Sequence, residues 1–471
     1  MTNEDFRKHA HQMVDWMADY LENIEQYPVK SRVSPKEIYN QIPEIAPQSS
    51  ERFEKIMDDF NKVIIPGITH WQHPNFHAYF PGNSSYPSLL GEMLTSTIGA
   101  QCMIWDTSPA AAELEERVME WLRDMLGLPE HFIGVIQDTA STATLTALIC
   151  AREKYSEDNI NKNGFDGYNN FKIYCSSETH SSIEKGVKIA GFGKSNLTII
   201  GVNESMAMKA DELENAIKAD IANGNKPVCV VAAIGTTGTT AIDPLAKIAE
   251  ICERYDVWLH VDAAYSGTAL VLPEFRWMIE GIEKADSFVF NPHKWMFTNF
   301  DCSAYFVKDK KRLTGTFEIL PEYLKTQFDH QVNNYRDWGI QLGRRFRALK
   351  LWFVIRTYGA DGIRQRISEH ISYAQHLDKV INEHTDFETV VPTLFNMVCF
   401  RYLPDGLSDL ETINTINAEL LSNLNNSGKI YATHTKVRNM YVIRLVIGRT
   451  YVQQHHVNKA WKLITETAKQ L

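Results

Sequence analysis

Short apolar segments alternate with helical segments over the middle of the chain, between about residues 85 and 360. Most of the apolar segments are continuous runs, which is typical of strands that are covered on both faces of a parallel sheet. The pattern predicts strands at 134–137, 171–176, 197–202, 227–234, 257–261, 287–290 and 303–307. Because helices such as 143–155 and 245–255 separate these strands, we expect an α/β fold with a mostly parallel central sheet.

Two further segments flank the predicted sheet. Thr2 and Asp5 have capping-box spacing at the start of an amphipathic helix, and a second helix is predicted near 50–63. A long helix is predicted from about residue 343 to 358, ending at Gly359. After it the pattern predicts a small C-terminal α+β domain, with strands at 390–391, 397–402, 430–433 and 440–446 and helices at 409–424 and 453–469. The expected domains are an N-terminal helical segment at 1–84, a large domain at 85–360 and a small domain at 361–471.

Charge and composition argue against several classes of protein. The chain carries 48 Lys and Arg against 58 Asp and Glu, a net charge of −10, which argues against nucleic acid or anionic lipid as a partner. No stretch approaches the ~20 apolar residues of a membrane span, and the charged start lacks the apolar region of a secretory signal. The seven cysteines are scattered without a C-x-x-C pair, which predicts buried reduced thiols. We therefore expect a cytoplasmic globular protein.

Polar residues follow four of the predicted strands, at the sheet edge where open α/β sheets bind ligands. Lys294 and Trp295 follow the strand at 287–290, where burial would favour a neutral amine that can form a Schiff base. Asp262 ends another strand, and the alanines after it leave space for a flat ligand. Each pattern alone also fits an ordinary loop lysine or a structural carboxylate.

The other two strand ends carry His180 and a predicted helix N-terminus at 138–142. An imidazole can stack on an aromatic ring, although a single histidine is more often structural. Free backbone N–H groups and hydroxyls at a helix N-terminus can bind phosphate, although such a sequence is also a good N-cap. Taken together, an amine, a carboxylate, a stacking ring and a phosphate site are the groups that pyridoxal 5′-phosphate requires.

Longer ordered motifs extend this pattern over about residues 65–360. They are His70-Trp71, Ala78-Tyr79-Phe80-Pro81, Ser84-Ser85-Tyr86-Pro87 and the segments 260–265, 291–295, 299–304 and 343–347. In these motifs the chain resembles the group II pyridoxal-phosphate decarboxylases, and among them the aromatic-L-amino-acid decarboxylases. The resemblance implies the type I, aspartate aminotransferase-like fold. It also implies a homodimer with shared active sites, in which the N-terminal helices pack on the partner.

The resemblance further implies roles for individual residues. Lys294 would link the cofactor as an imine, Asp262 would pair with the pyridine nitrogen, and His180 would stack on the ring. Tyr323 would be the acid that reprotonates the α-carbon, on a lid that includes the polar run 325–337. Further cofactor contacts would come from Thr139, Ala140, Ser141, Thr237, Ala264, Asn291 and His293. Substrate contacts would come from Trp71, Tyr79, Phe80, Pro81, Gly82, Gln101, Met103 and His180.

The implied reaction is decarboxylation of tyrosine, dopa, tryptophan or phenylalanine to the amine and CO2, through an external aldimine and a quinonoid. Gly82 stands where the animal dopa enzymes have a threonine, and Gln101 and Met103 stand where isoleucine and phenylalanine are frequent. We therefore expect no strict requirement for a catechol. Tyr323 and His180 are retained, which favours decarboxylation over the related oxygen-dependent aldehyde synthases.

Other functions rest on weaker patterns. A decarboxylase of a non-aromatic amino acid remains open, as does an inactive ligand-binding relative, although the latter would be expected to lose Lys294 or Asp262. The segment 188–195 ends as a P-loop does but lacks its first glycine. His70, His73 and His77 do not have the spacing of a zinc-binding helix, and the aromatic residues around them predict a pocket wall, so no metal is expected.

Overall fold

The computed structural model describes residues 1–319 and 331–471. The chain forms two compact units. Unit 1 comprises Met1–Pro81 and Ser372–Leu471, and unit 2 comprises Gly82–Ile371. The predicted N-terminal and C-terminal segments thus contribute to the same unit, while the division at residues 84 and 360 remains a prediction.

The secondary structure alternates as the sequence predicts. The α-helices are α1 (Asn3–Glu22), α2 (Glu37–Gln41), α3 (Phe53–Asp59), α4 (Tyr86–Ile98), α5 (Pro109–Leu126), α6 (Ala140–Ser156), α7 (Asn159–Asn163), α8 (Ser182–Ile189), α9 (Ala210–Ala222), α10 (Leu245–Tyr255), α11 (Pro292–Trp295), α12 (Lys310–Phe317), α13 (Arg347–Asn382), α14 (Leu410–Asn426) and α15 (Gln454–Ala468). The strands are β1 (Ile133–Gln137), β2 (Phe171–Ser176), β3 (Leu197–Ile200), β4 (Lys226–Ala233), β5 (Trp258–Asp262), β6 (Ser287–Phe290), β7 (Ser303–Val307), β8 (Phe387–Thr389), β9 (Met397–Tyr402), β10 (Thr433–Val437) and β11 (Met440–Val446).

Unit 2 is built around a seven-stranded sheet with the order β1-β7-β6-β5-β4-β2-β3. The five strands from β6 to β3 in this order pair in parallel, whereas β7 is antiparallel to both of its neighbours, β1 and β6. The carboxyl ends of β1, β2, β4, β5 and β6 therefore lie at the same edge of the sheet. All seven predicted strands are confirmed, with small differences at their ends.

The core of unit 2 explains why its strands are continuous apolar runs. In β4, every residue after Lys226 is buried, and β5, β6 and β7 are buried along their whole length. α5 shows how the helices begin and end: Pro109 lies in its first turn, and Gly127, with φ of 71°, terminates it. Val118 and Leu122 on this helix are fully buried.

Unit 1 contains an antiparallel sheet with the order β10-β11-β9-β8, whose core is shared with α14 and α15. Two predicted strands are displaced. The strand predicted at 430–433 begins instead at Thr433, because Tyr431 forms an isolated parallel bridge with Phe76. The strand predicted at 390–391 lies at Phe387–Thr389, and Pro392 has no N–H to extend the ladder.

The helix predicted at 343–358 begins later and does not end the helical region. α13 begins at Arg347, and Gly359, with φ of 67° and ψ of 168°, breaks its regular geometry. Helix resumes beyond the break because Ile363, Ile367 and Ile371 continue a buried stripe at four-residue spacing. Sequence analysis missed this second helical part.

The N-terminal helices agree with prediction. Thr2 and Asp5 form the predicted capping box at the start of α1. α3 falls within the predicted second helix and continues as a π-helix over Phe60–Ile64. No residue of α1 is buried, and Phe6 and Val14 are 61% and 47% exposed.

The prediction of buried reduced thiols is confirmed. All seven cysteines are buried and free, and burial raises the pKa of thiols such as Cys102, to about 11. Among the described residues, no helix combines the length and the apolar character needed to cross a membrane.

Candidate active site

Lys294 lies one turn beyond the carboxyl end of β6. Asn291 precedes the short helix α11, and its carbonyl accepts the N–H of Lys294 at 2.9 Å. Burial lowers the pKa of the Lys294 amine, while the nearby Asp262 carboxylate opposes the shift. A lowered pKa increases the fraction of neutral amine, which is the nucleophilic form.

Asn83 holds the backbone that carries Lys294. Its N–H donates to the carbonyl of His293 and its Nδ2 donates to the carbonyl of Lys294, both at 2.9 Å. Ser85 adds a hydrogen bond from Oγ to the carbonyl of Phe297 at 2.7 Å. Sequence analysis did not select Asn83, although it directly precedes the Ser84-Ser85-Tyr86-Pro87 motif.

Asp262 is the last residue of β5 and is 9% exposed. Its Oδ1 accepts the N–H of Ala264 at 3.0 Å, and the carbonyl of Ala264 accepts the N–H of Asn291 at the same distance. These bonds join the ends of β5 and β6. Asp262 therefore lies near enough to interact electrostatically with both Lys294 and His180.

His180 lies in the loop between β2 and α8. Its Nδ1 accepts the N–H of Ser182 at 3.1 Å and lies 2.8 Å from Oγ of the same residue. Desolvation and the Lys294 charge lower the pKa of His180, and Asp262 opposes them. The structure thus favours a neutral imidazole, which can stack on a ring without adding charge.

The N-terminus of α6 follows the end of β1. Thr139 is the N-cap, and its Oγ1 accepts the N–H of Thr142 at 3.4 Å. The first backbone N–H groups of a helix have no intrahelical acceptor, and the helix dipole favours an anion there. Ala140 and Ser141 occupy these positions, so this end of the 17-residue helix suits a phosphate group.

The loop after β4 carries Thr237, which is half-buried. Gly235, two residues earlier, has φ of +87°, and a Cβ added there would lie 1.9 Å from Oγ of Ser266. Only glycine fits this close approach. The loop conformation that presents Thr237 therefore depends on the absence of a side chain at position 235.

Two predicted cofactor residues are fixed by β7 and the turn before it. Oδ1 of Asn291 accepts the hydroxyl of Ser303 at 2.6 Å. Nδ1 of His293 accepts the N–H of Cys302 at 2.9 Å, and burial lowers the pKa of His293 to about 3. His293 is therefore neutral and positioned by the backbone.

These groups of unit 2 fit pyridoxal phosphate. The desolvated Lys294 amine suits a Schiff base, the Asp262 carboxylate suits a protonated ring nitrogen, and the N-terminus of α6 suits the phosphate. Ala264 has a small side chain next to the carboxylate and leaves room for a flat ring. When bound, this cofactor supplies an electron sink for the bond that breaks.

Four of the predicted substrate residues, Trp71 to Pro81, lie in unit 1. The rings of Trp71 and Tyr79 stack at 5.9 Å, and the Tyr79 hydroxyl lies 3.3 Å from that of Tyr431. Tyr79 has φ of +54°, a strained conformation for a residue with a bulky side chain. We call Trp71, Phe76, Tyr79 and Tyr431 the aromatic cluster.

Arg449 accompanies the aromatic cluster and was missed by sequence analysis. It is 3% exposed, and its guanidinium lies 5.5 Å from the Trp71 ring and 4.4 Å from the Phe76 ring. A second buried arginine, Arg444, lies 5.5 Å from the Phe80 ring. The available signal was an arginine shortly after β11, in the sequence Ile447-Gly448-Arg449.

The other four predicted substrate residues lie in unit 2; they are Gly82, Gln101, Met103 and His180. Oε1 of Gln101 accepts the N–H of Arg344 at 2.7 Å, and the carbonyl of Met103 accepts the N–H of Arg336 at 2.8 Å. The carbonyl end of Gln101 is therefore already bonded within the chain.

Tyr323 and residues 325–330 of the predicted lid lie outside the described residues. The described part of the predicted lid at 333–337 is buried in unit 2, and its role as a lid stays a prediction. Tyr335 is 2% exposed because it packs with Trp338 in the main core, beneath the Arg344 guanidinium at 4.7 Å.

The histidines near Trp71 bond to separate partners. Nδ1 of His70 lies 2.8 Å from the Tyr20 hydroxyl, and Nδ1 of His77 lies 3.1 Å from the Val446 carbonyl. Nδ1 of His73 accepts the N–H of Asn75 at 2.9 Å. Each ring therefore has its own structural hydrogen bond.

A separate group of three metal-ligand side chains, Glu25, His455 and His456, occurs among the described residues of unit 1. Nδ1 of His456 accepts the N–H of Gln453 at 3.0 Å, so Nε2 carries the proton and donates it to Glu25 at 3.1 Å. That nitrogen has no lone pair for a metal ion.

The chain is similar to known proteins over its whole length. The model of the pyridoxal-dependent decarboxylase conserved domain matches residues 35–403. Tyrosine decarboxylase 4 of Petroselinum crispum is 43% identical over 99% of this chain and 94% of the relative. Phenylacetaldehyde synthase of Arabidopsis thaliana is 42% identical over 100% of this chain and 97% of the relative.

A solved structure agrees with these sequence relatives. The crystal structure of Oryza sativa TDC with PLP and tryptamine superimposes with a TM-score of 0.97 at 35% identity, covering 100% of this chain and 99% of that one. The fold is thus the predicted type I fold, and the cofactor is pyridoxal phosphate. The chain belongs to the pyridoxal-dependent decarboxylase family.

Proposed function

We propose that this chain, a decarboxylase of aromatic L-amino acids, has no strict requirement for a catechol among tyrosine, dopa, tryptophan and phenylalanine. The observation that carries the chemistry is the desolvated Lys294 amine beside Asp262 at adjoining strand ends. The similar tyrosine decarboxylase is named for an aromatic amino acid, which supports an aromatic substrate for this chain. Gly82 lacks a hydroxyl that could select a catechol.

In this proposal each residue of the site has a defined task. The Lys294 amine would hold the cofactor covalently and would take it back when the product amine leaves. Asp262 holds a proton on the ring nitrogen, and His180 covers the ring face as a neutral imidazole. Thr139, Ala140 and Ser141 bind the phosphate with the N-terminus of α6. Tyr323 returns a proton to the α-carbon of the substrate.

The substrate proposal is tested by steady-state kinetics with tyrosine, dopa, tryptophan and phenylalanine on the purified holoenzyme. We expect kcat/KM values for dopa and its best non-catechol competitor within about tenfold, since one lost hydrogen bond to a neutral partner costs about 1 kcal/mol. An overwhelming preference for dopa would contradict the proposal.

An oxygen-dependent aldehyde synthase is the second candidate. Overall identity does not separate it from a decarboxylase, since the phenylacetaldehyde synthase and the tyrosine decarboxylase are 42% and 43% identical to the chain. Retained His180 and Tyr323 support simple decarboxylation. Amine, aldehyde, ammonia and peroxide are measured in one turnover mixture. Formation of the amine without stoichiometric peroxide and ammonia supports the proposal. Formation of aldehyde, ammonia and peroxide in equal amounts overturns it.

We also propose a cytoplasmic homodimer with shared active sites. α1 buries none of its residues in the single chain, and its apolar residues Phe6 and Val14 are exposed, so the helix requires another surface.

Light scattering is expected to give twice the chain mass of 53.9 kDa. Phe6→Glu is expected to weaken the dimer, with Ile221→Glu, at an exposed apolar residue of α9 in unit 2, as the control. A monomeric wild type would refute the assembly. The proposed cytoplasmic location is supported by the buried free thiols, because the cytosol keeps thiols reduced.

A further inference from the structure

Two groups of one residue contact the same nitrogen of His180. The backbone N–H of Ser182 donates to Nδ1 at 3.1 Å, and Oγ of Ser182 lies 2.8 Å from that nitrogen. Ser182 is the first residue of α8 and is 8% exposed. Its neighbour Ser181 is exposed and makes no capping hydrogen bond through its side chain.

The direction of the backbone bond decides where the ring proton lies. An N–H can only donate, so Nδ1 must present its lone pair to Ser182. In a neutral imidazole the proton then lies on Nε2, because only one of the two nitrogens carries it. The sequence alone does not contain this information, because the tautomer depends on the turn that brings residue 182 back to residue 180.

Oγ of Ser182 has a different capacity from the backbone N–H. A hydroxyl can donate a hydrogen bond to the lone pair of Nδ1, and its oxygen can instead accept a hydrogen bond from a protonated Nδ1. The hydroxyl therefore keeps its contact in both charge states of the ring, whereas the N–H opposes the charged state. The charged groups that face His180 are Lys294 from α11, which opposes protonation, and Asp262 from β5, which favours it.

We propose that Ser182 is a positioning residue for His180, which holds the imidazole in one orientation and one tautomer through two contacts on Nδ1. This proposal depends on the proposed stacking of His180 on the cofactor. A ring held at one nitrogen keeps its plane fixed, so that it covers the cofactor face without rotating. Ser182 does not touch the reacting atoms and acts through His180.

The first test is a spectroscopic measurement on the wild-type chain. Histidine labelled with 15N is incorporated, and the His180 signals are assigned by their loss in His180→Gln. We expect the shift of an unprotonated acceptor for Nδ1 and of a protonated nitrogen for Nε2 at pH 7.5. A proton on Nδ1 would overturn the proposal. This measurement requires no turnover, so it stands apart from any failure of the proposed function.

The second test compares variants in the holoenzyme. Ser182→Ala is expected to lower kcat about tenfold and to change KM less than about twofold, because ring orientation affects the chemical step more than binding. It is also expected to move the acid limb of the kcat–pH profile to lower pH, because the charged ring loses its hydroxyl acceptor.

The controls separate positioning from general damage. Ser182→Thr keeps a hydroxyl and is expected to retain both kcat and the pH profile, while Ser181→Ala removes the neighbouring exposed hydroxyl and is expected to resemble wild type. If Ser182→Ala had the same kcat and the same kcat–pH profile as the wild type, the proposal would be overturned. Equal losses in Ser181→Ala and Ser182→Ala would also overturn it. If Ser182→Ala does not fold, the 15N shifts of His180 in the wild type and in Ser182→Thr test the proposal instead. A proton on Nδ1 in either protein would overturn it.

Discussion

The two units of the chain assemble their candidate functional residues in different ways. In unit 2, Asp262, Asn291 and Lys294 lie at or directly beyond the ends of neighbouring strands, so the sheet brings them together. In unit 1, the aromatic cluster combines residues 71–79 with Tyr431 from a distant part of the chain, and Arg449 joins it from beyond β11. The first arrangement follows from local sequence and sheet topology, whereas the second follows from tertiary packing.

The units also differ in the property that they control. Unit 2 changes protonation: the pKa of Lys294 is lowered by burial, and that of His293 falls to about 3. Unit 1 provides ring surfaces, and burial and the Tyr79 hydroxyl raise the pKa of Tyr431 to about 12, so it remains a neutral phenol. We therefore expect changes at Asp262 and Lys294 to affect the chemical step, and changes at the predicted substrate residues, such as Trp71 in unit 1 and Gln101 in unit 2, to affect substrate selection.

The largest effect is expected for Asp262→Ala. Loss of the carboxylate removes the partner of the ring nitrogen, and kcat is expected to fall by about 10³-fold or more. Steady-state kinetics measure the change. Asp256→Ala, just before the other end of β5, removes an exposed carboxylate that pairs with Lys154 and is the matched control. Equal losses of kcat in the two variants would contradict the role of Asp262.

Alanine substitution at one glycine in each unit compares how well the two sites tolerate an added Cβ. At Gly235 in unit 2, an added Cβ meets the buried Ser266, whereas at Gly428 in unit 1 it meets the guanidinium end of Arg32. Both have positive φ, so both alanine variants are strained, but only Arg32 can move away. We expect Gly235→Ala to lower the free energy of unfolding by about 3 kcal/mol and Gly428→Ala by about 1 kcal/mol. Chemical denaturation measures both, and the reverse order would contradict this difference.

Acid is expected to destabilise unit 2 more than unit 1. Burial lowers the pKa of His260, His293 and His370 in unit 2 to between about 3 and 4, and that of His73 and His77 in unit 1 to about 4. Their unfolded forms take up protons near pH 6.5, which the folded forms do not, so this stability is complete above pH 6.5 and is lost as the pH falls toward the folded pKa.

Each such histidine contributes up to about 1.4 kcal/mol per pH unit within that window. Hydrogen exchange at pH 7.5 and pH 5.5, followed peptide by peptide, measures the loss of protection in each unit. Because the described part of unit 2 has one more buried histidine with a strongly lowered pKa than unit 1, the peptides of unit 2 are expected to lose more protection. Greater loss in unit 1 would show that other groups dominate.

The smallest effect is expected for Trp71→Ala. Removing one ring of the aromatic cluster is expected to raise KM for tryptophan by about three- to tenfold, in line with the loss of one aromatic contact and part of its buried area. The visible absorption of the bound cofactor is expected to remain. Trp277→Ala, an exposed tryptophan in unit 2, is the control. Loss of the cofactor in Trp71→Ala would contradict the proposal that Trp71 contacts only the substrate.

The sequence predicted the central sheet and the candidate residues of unit 2 because their signals are local. A continuous apolar run followed by Asp262 or by Asn291 identifies a buried strand and the polar residue at its end. Asn83 was missed because its two bonds to the 293–294 backbone join residues that are far apart in sequence. The strand predicted at 430–433 was displaced for a similar reason, since Tyr431 pairs with Phe76. Periodicity within a segment does not report its tertiary partner.

Helix α13 illustrates a different cause. Gly359 has the left-handed φ that ends many helices, and the sequence therefore indicated a stop. The isoleucines beyond it are buried at helical spacing, so packing restores the helix after the break. The buried segment 333–337 is similar, because the packing of Tyr335 and Trp338 outweighs its polar composition.

The central claim is that Lys294 is the residue that binds pyridoxal phosphate covalently. The most direct measurement is reduction of the purified holoenzyme with borohydride, followed by peptide mass spectrometry to locate the reduced cofactor. A second buried lysine of unit 2, Lys350, provides a strict comparison, since burial lowers its pKa to about 8. We predict that the reduced cofactor is attached to Lys294 alone and that Lys294→Ala has no covalently attached cofactor. Attachment to Lys350, or to any other lysine of the wild-type chain, would contradict the account.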